Sequence, residues 1–189
     1  MKIIFGLGNP GQKYKNNRHN IGYQVIENLA SVQSLEFKRS FRLSAYIAKK
    51  KYPPGWFFLI KPRTFMNNSG LCVKKVLEKY KVSRSDILIV YDDVDLPLGV
   101  IRFRVRGSTA GHRGMASIKS ALGSEEINRL RVGIGGVEIE ELSDYVLSDF
   151  FSSEAETLAE VIQVAVSATR EWIDKGIDFT MRKYNQRGG

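Results

Sequence analysis

The sequence predicts an α/β protein, a sheet sandwiched between helices. Three observations carry this. Ile87-Leu88-Ile89-Val90-Tyr91 is an unbroken apolar run, the pattern of a strand covered on both faces. Segments with apolar residues at helical spacing alternate with segments of strand character. No repeat, low-complexity tract or linker interrupts the 189 residues, so one domain over 1–189 is expected.

The elements follow in order. Residues 2–7 read as a buried first strand, closed by Gly8-Asn9-Pro10-Gly11. Ile21, Val25, Ile26 and Leu29 mark a helix over 19–33. Residues 43–51 and 56–61 read as strands around the turn Pro53-Pro54-Gly55. A helix is expected from Asn67 to Tyr80, with Leu71, Val73, Val76, Leu77 and Tyr80 near one face. The 87–91 strand ends at Asp92-Asp93-Val94-Asp95-Leu96-Pro97. Residues 100–105 alternate as a strand with one wet face, carrying Arg102 and Arg104. A glycine-rich stretch at 107–114 opens a helix to about 122, and a strand follows at 130–135. The last helix spans 154–175, with Leu158, Val161, Ile162, Ala165 and Trp172 inward. Residues 182–189 form a basic tail expected to be mobile.

Composition narrows the class. Hydrophobic residues make up 43% and charged residues 26%, as in a water-soluble globular chain. Cys72 is the one cysteine, so an internal disulfide is excluded. No signal-peptide pattern and no membrane span are found, which predicts a cytoplasmic protein. The net charge is +9, and its distribution matters more than its sum. No acid occurs from Phe37 to Leu77 or from Leu96 to Ser124, while cations recur throughout both stretches. Most acids fall in the C-terminal third. A polyanionic partner on one side is the expectation.

Several motifs carry chemistry. Gly6-Leu7-Gly8-Asn9-Pro10-Gly11 has the glycines of a dinucleotide fingerprint, but Pro10 and the polar run from Gln12 to Arg18 separate it from the next helix. A plain tight turn, or a turn that aims the Asn9 amide into a cleft, are the other readings. His19 sits at a helix start near that turn. Asp92, at a strand end, suits the acid that orients a histidine base. Asp92, Asp93 and Asp95 also suit a hard cation, although no second histidine or glutamate is evident to complete its shell. Asn67 reads either as a helix cap or as an amide that stabilises an oxyanion. The backbone of 107–114, with Arg102 and Arg104 beside it, suits phosphate. The chain has no Gly-x-Ser-x-Gly, zinc spacing or Walker loop.

Taken together, these motifs resemble the bacterial peptidyl-tRNA hydrolase family. The resemblance rests on Gly6–Gly11, Arg18-His19-Asn20-Ile21-Gly22, Lys61–Gly70, Asp92–Gly99, Gly111–Gly114 and Arg129–Gly135, in the family's order and at its spacing. It implies a mixed, largely parallel twisted sheet surrounded by helices, in a monomer that works without metal or cofactor. It implies an enzyme that cuts the ester between a peptide and the 3′-terminal ribose of tRNA. By resemblance His19 is the catalytic base, Asp92 orients it, and Asn9 and Asn67 hold the peptide end and the water. Tyr14 and Met66 line the site, and Arg104 and Arg131 grip tRNA phosphate. The chain departs from the family at Arg113, where asparagine is common; Arg113 cannot accept a hydrogen bond and is carried as an RNA contact. Plant organelle splicing factors also resemble this family, so RNA binding without turnover is the competing reading.

Overall fold

A computed structural model describes residues 1–53, 55–135 and 142–186. Its frame is a seven-stranded sheet in the order β2-β3-β4-β1-β5-β7-β6. The strands are β1 (Lys2–Gly6), β2 (Lys38–Ser40), β3 (Ala45–Tyr52), β4 (Gly55–Pro62), β5 (Ile87–Pro97), β6 (Ile101–Arg104) and β7 (Arg129–Gly135). The four central strands, β4, β1, β5 and β7, run parallel; both outer flanks are antiparallel. The expected turn at 53–55 joins β3 to β4, with Tyr52 opposite Gly55 and Pro54 outside the described residues.

Helices α1 (Ile21–Val32) and α5 (Ala155–Tyr184) cover one face, and α2 (Ser69–Tyr80) and α3 (Arg113–Leu122) cover the other. The alternation along β5 explains the apolar run. Leu88 and Val90 pack with α1 and α5, while Ile87, Ile89 and Tyr91 pack with α2 and α3. Both sides are dry, so the strand has no reason to alternate polarity. A short helix, α4 (Leu142–Leu147), has no counterpart in the sequence reading.

Two boundaries differ from expectation. β5 does not stop at Tyr91 but continues through the aspartates to Pro97. Its pairing with β7 shifts register between Asp93 and Pro97, and that irregularity lets polar residues occupy the strand end. The last helix breaks at Gly176, where φ is 77°, and resumes to Tyr184. Its second segment takes up the start of the predicted mobile tail. Tyr184 is buried on Phe103, and the Asn185 amide bonds both the N–H and the C=O of Phe103, at 2.8 and 3.0 Å. Residues 187–189 lie outside the described part.

The close approach of α1 to the sheet sets the depth of the site. Leu7 N–H donates to Val90 O at 2.9 Å, and Tyr23 N–H to Leu7 O at 3.1 Å. A Cβ on Gly22 would lie 2.6 Å from both Leu7 N and Leu7 O and collide with Val90 O. Gly22→Ala therefore forces the helix off the strands. Its expected cost is about 3 kcal/mol, a fall in Tm of about 6–12 °C; a melting curve that coincides with the parent's would mean the helix can retreat freely.

Candidate functional site

The parallel strands β1 and β5 end on the same side, where an open α/β sheet forms its crevice. A cleft of about 600 Å³ opens there. Asn9, His19, Met66, Asn67, Asp92 and Arg113 all reach it, although they come from five separate places in the chain. This is the convergence expected from the sequence.

His19 lies in a 3-10 turn, Arg18–Asn20, that leads into α1. Its Nδ1 is 2.8 and 2.9 Å from the two carboxylate oxygens of Asp92. An ionised carboxylate only accepts, so Nδ1 carries a proton, and in the neutral ring Nε2 keeps its lone pair. Asp92 is almost fully buried. Burial alone would raise its pKa. The positive charge that His19 and His112 carry when protonated, and the hydrogen bonds from both rings, more than reverse this and hold the carboxyl well below its ordinary value of 3.8.

The second histidine, His112, changes the sequence reading, which found none to join the aspartates. Its Nε2 is 3.0 Å from Asp92 Oδ1, and its ring packs on Tyr91 at 4.8 Å. His112 also caps α3, because its Nδ1 accepts from Met115 N–H at 3.1 Å. An acceptor at Nδ1 fixes the neutral ring's proton on Nε2, which therefore donates to Asp92. The ligand atoms of His19, Asp92 and His112 lie within 4.8 Å of one another, a spacing that a divalent ion spans. Metal ligation through His112 Nε2 would need its proton moved to Nδ1, against Met115 N–H. The donor set therefore fits a shared hydrogen-bonded carboxylate better than a metal.

The two amides are prepared differently. Asn9 is buried, and its main chain is held by Asn20, which accepts from Asn9 N–H at 2.8 Å and donates to Asn9 O at 3.1 Å. Asn9 Oδ1 accepts from Met66 N–H at 2.9 Å, which leaves Nδ2 as the group it offers the cleft. Asn67 is exposed in the 3-10 turn before α2, and its amide has no partner among the described residues. Asn68 occupies the N-cap position of that helix, but its side chain makes no capping hydrogen bond. The first glycine loop is no phosphate cradle, since a Cβ on Gly8 would strike the Tyr23 ring at 2.8 Å.

The remaining residues divide. Met66 forms a cleft wall, and Arg113 stands exposed at the start of α3 beside it. Tyr14 does not line the cleft but packs edge-on against Phe65, which does. Arg104 and Arg131 also lie outside it. Arg131 already bonds Asp93, with Asp95 3.8 Å away, so a phosphate would have to compete for it.

Sequence reasoning missed the part of the cleft wall built by Leu142, Val146 and Leu147 of α4. Arg18 fastens the segment after it. The Arg18 guanidinium is fully buried, bonds Glu154 through two nitrogens at 2.9 and 2.6 Å, and lies over the rings of Tyr145, Phe150 and Phe151. A charged residue directly before a candidate base was the available signal.

The family model described as peptidyl-tRNA hydrolase matches residues 3–188. The peptidyl-tRNA hydrolase of Carboxydothermus hydrogenoformans is 44% identical, with both chains fully covered. That of Syntrophomonas wolfei is 43% identical over 98% of this chain and all of its own. A crystal structure of peptidyl-tRNA hydrolase from Acinetobacter baumannii superposes with a TM-score of 0.91 at 30% identity, covering 98% of this chain and 94% of that one.

The depressed Asp92 carboxyl has a consequence for stability. Its folded pKa lies below 3.8, so its contribution is complete above that value and is lost as pH falls through the folded value. Urea unfolding at a series of acid pH values is expected to show the parent losing stability more steeply below 3.8 than Asp92→Asn does. Parallel profiles would show that the imidazoles do not hold the carboxylate.

Proposed function

The chain belongs to the peptidyl-tRNA hydrolase family, and we propose that its cleft hydrolyses the ester joining a peptide to the 3′-terminal ribose of tRNA with His19 as general base. The observation that carries this reading is the His19–Asp92 pair lining the cleft, in which Nδ1 is taken up by the carboxylate and Nε2 is the nitrogen left to accept a proton.

The steps follow from the hydrogen bonds. Water gives a proton to His19 Nε2 as its oxygen attacks the ester carbonyl carbon. Asp92 stabilises the imidazolium that forms. His112 acts on Asp92 rather than on substrate, fixing the carboxylate plane by its donated hydrogen bond. The tetrahedral oxyanion is met by the Asn67 amide, a donor of the kind worth about 3–4 kcal/mol. Collapse breaks the carbon–oxygen bond to ribose, and His19 returns the proton to the leaving oxygen. The products are free tRNA and a peptide carboxylate. These residues complete the reaction without a metal or other cofactor, on a single chain in the cytoplasm.

Selectivity follows from which amide atoms are free. Asn9 presents Nδ2, a donor, because its Oδ1 is turned to Met66 N–H. It suits the carbonyl that an N-acyl group adds to the substrate. Asn67 Oδ1 is free to accept the peptide N–H. An aminoacyl-tRNA has no such carbonyl and presents an ammonium, which leaves Asn9 unpaired. Arg113 at the rim, with Arg104 and Arg131 beyond it, supplies positive charge for the acceptor end, so binding weakens with salt.

Peptide release from N-acetyl-aminoacyl-tRNA tests the reading. His19→Ala is expected to lower kcat at least ~10²-fold and Asn67→Ala ~10²-fold, while unblocked aminoacyl-tRNA is spared. An unimpaired His19→Ala enzyme, or equal rates on the two substrates, would contradict it.

A further inference from the structure

We infer that Arg129, which does not line the cleft and takes no part in the steps above, is a positioning residue that keeps His112 on Asp92. The inference rests on the role given to His112 in the proposed reaction.

Arg129 opens β7 and is 3% exposed. A buried guanidinium is usually paired with a carboxylate. This one is instead bonded to main-chain carbonyls. Its Nε donates to Ile127 O at 3.2 Å and its Nη2 to Glu125 O at 2.9 Å. Its Nη1 donates to Gly107 O at 3.2 Å and Ser108 O at 3.0 Å. The planar fork thus ties two separate segments together: the approach to β7 and the glycine-rich loop that leads to His112.

That loop does not favour its shape by itself. Gly107, Ala110 and Gly111 have φ of 150°, 44° and 76°, and Ala110 pays the steric penalty of an L residue in the left-handed region. The loop is fastened at its start by Arg129 and at its end by His112 N–H, which donates to Thr109 O at 2.8 Å. The His112 ring then rests on Tyr91, the residue before Asp92. Arg129 reaches that support too, since its charge opposes the burial that pushes the Tyr91 phenol up to about 12. Arg129 therefore holds the backbone that delivers His112. Lysine cannot replace it, because one ammonium cannot span carbonyls on both segments.

A double-mutant cycle in kcat tests this, using N-acetyl-aminoacyl-tRNA with the full chain. His112→Ala and Arg129→Lys are each expected to lower kcat about tenfold with KM little changed. In the His112→Ala background, Arg129→Lys is expected to change kcat by less than about twofold. A residue that only stabilised the fold would lower kcat by the same factor in both backgrounds, and that result would overturn the inference. So would an Arg129→Lys enzyme with normal kcat. If His112→Ala alone leaves kcat unchanged, the reading of His112 fails first and takes the inference with it. Melting curves check folding; Arg129→Gln, planar and uncharged, replaces the lysine variant if that one unfolds, with the same pattern expected.

Discussion

A buried carboxylate that two imidazoles share is the constraint around which the site is built. Asp92 has lost nearly all contact with water, and an unpaired charge in that position would be neutralised or expelled. His19 and His112 supply its hydrogen bonds from opposite sides of the sequence. The two rings then take different tautomers: His19 spends Nδ1 on Asp92 and turns Nε2 to the cleft, whereas the Nδ1 of His112 accepts from the first turn of α3 and its Nε2 donates to Asp92. One aspartate thereby yields one ring free to take a proton and one committed to holding still.

The fold explains why these groups meet. Parallel strands bring the ends of β1 and β5 to one edge, and the tight packing of Gly22 on Leu7 and Val90 seats the start of α1 over both. His19 precedes that helix by two residues, so its position follows from the backbone contact. The β5 ladder continues past Tyr91, which keeps Asp92 on a rigid strand rather than in a turn. Glycine at position 22 and the register shift after Asp93 are departures from ideal packing that serve the site.

Much of this was legible in the sequence. The two-sided strand at 87–91, the amphipathic helices and the convergence of Asn9, His19, Asn67 and Asp92 followed from apolar patterning and from the resemblance of the motifs. The continuation of β5 was not legible, because polar residues at 92–95 imitate a turn. The share of His112 in Asp92 was hidden because sequence distance says nothing of a loop whose course depends on positive φ at Ala110 and on carbonyls held by Arg129. Helix α4 is a short helix without a distinctive period, and its apolar residues find meaning only in the fold, as part of the cleft wall and as packing against the core. The pairing of Arg131, which the resemblance gave as a phosphate contact, was not legible because its partners, Asp93 and Asp95, lie on a neighbouring strand.

Proton placement on the two rings is the most direct measure of the whole account. Nitrogen-15 spectra of the imidazoles at neutral pH should show His19 protonated at Nδ1 and bare at Nε2, and His112 protonated at Nε2 and bare at Nδ1. A His19 ring carrying its proton on Nε2 at that pH would leave the cleft without a base and contradict the account.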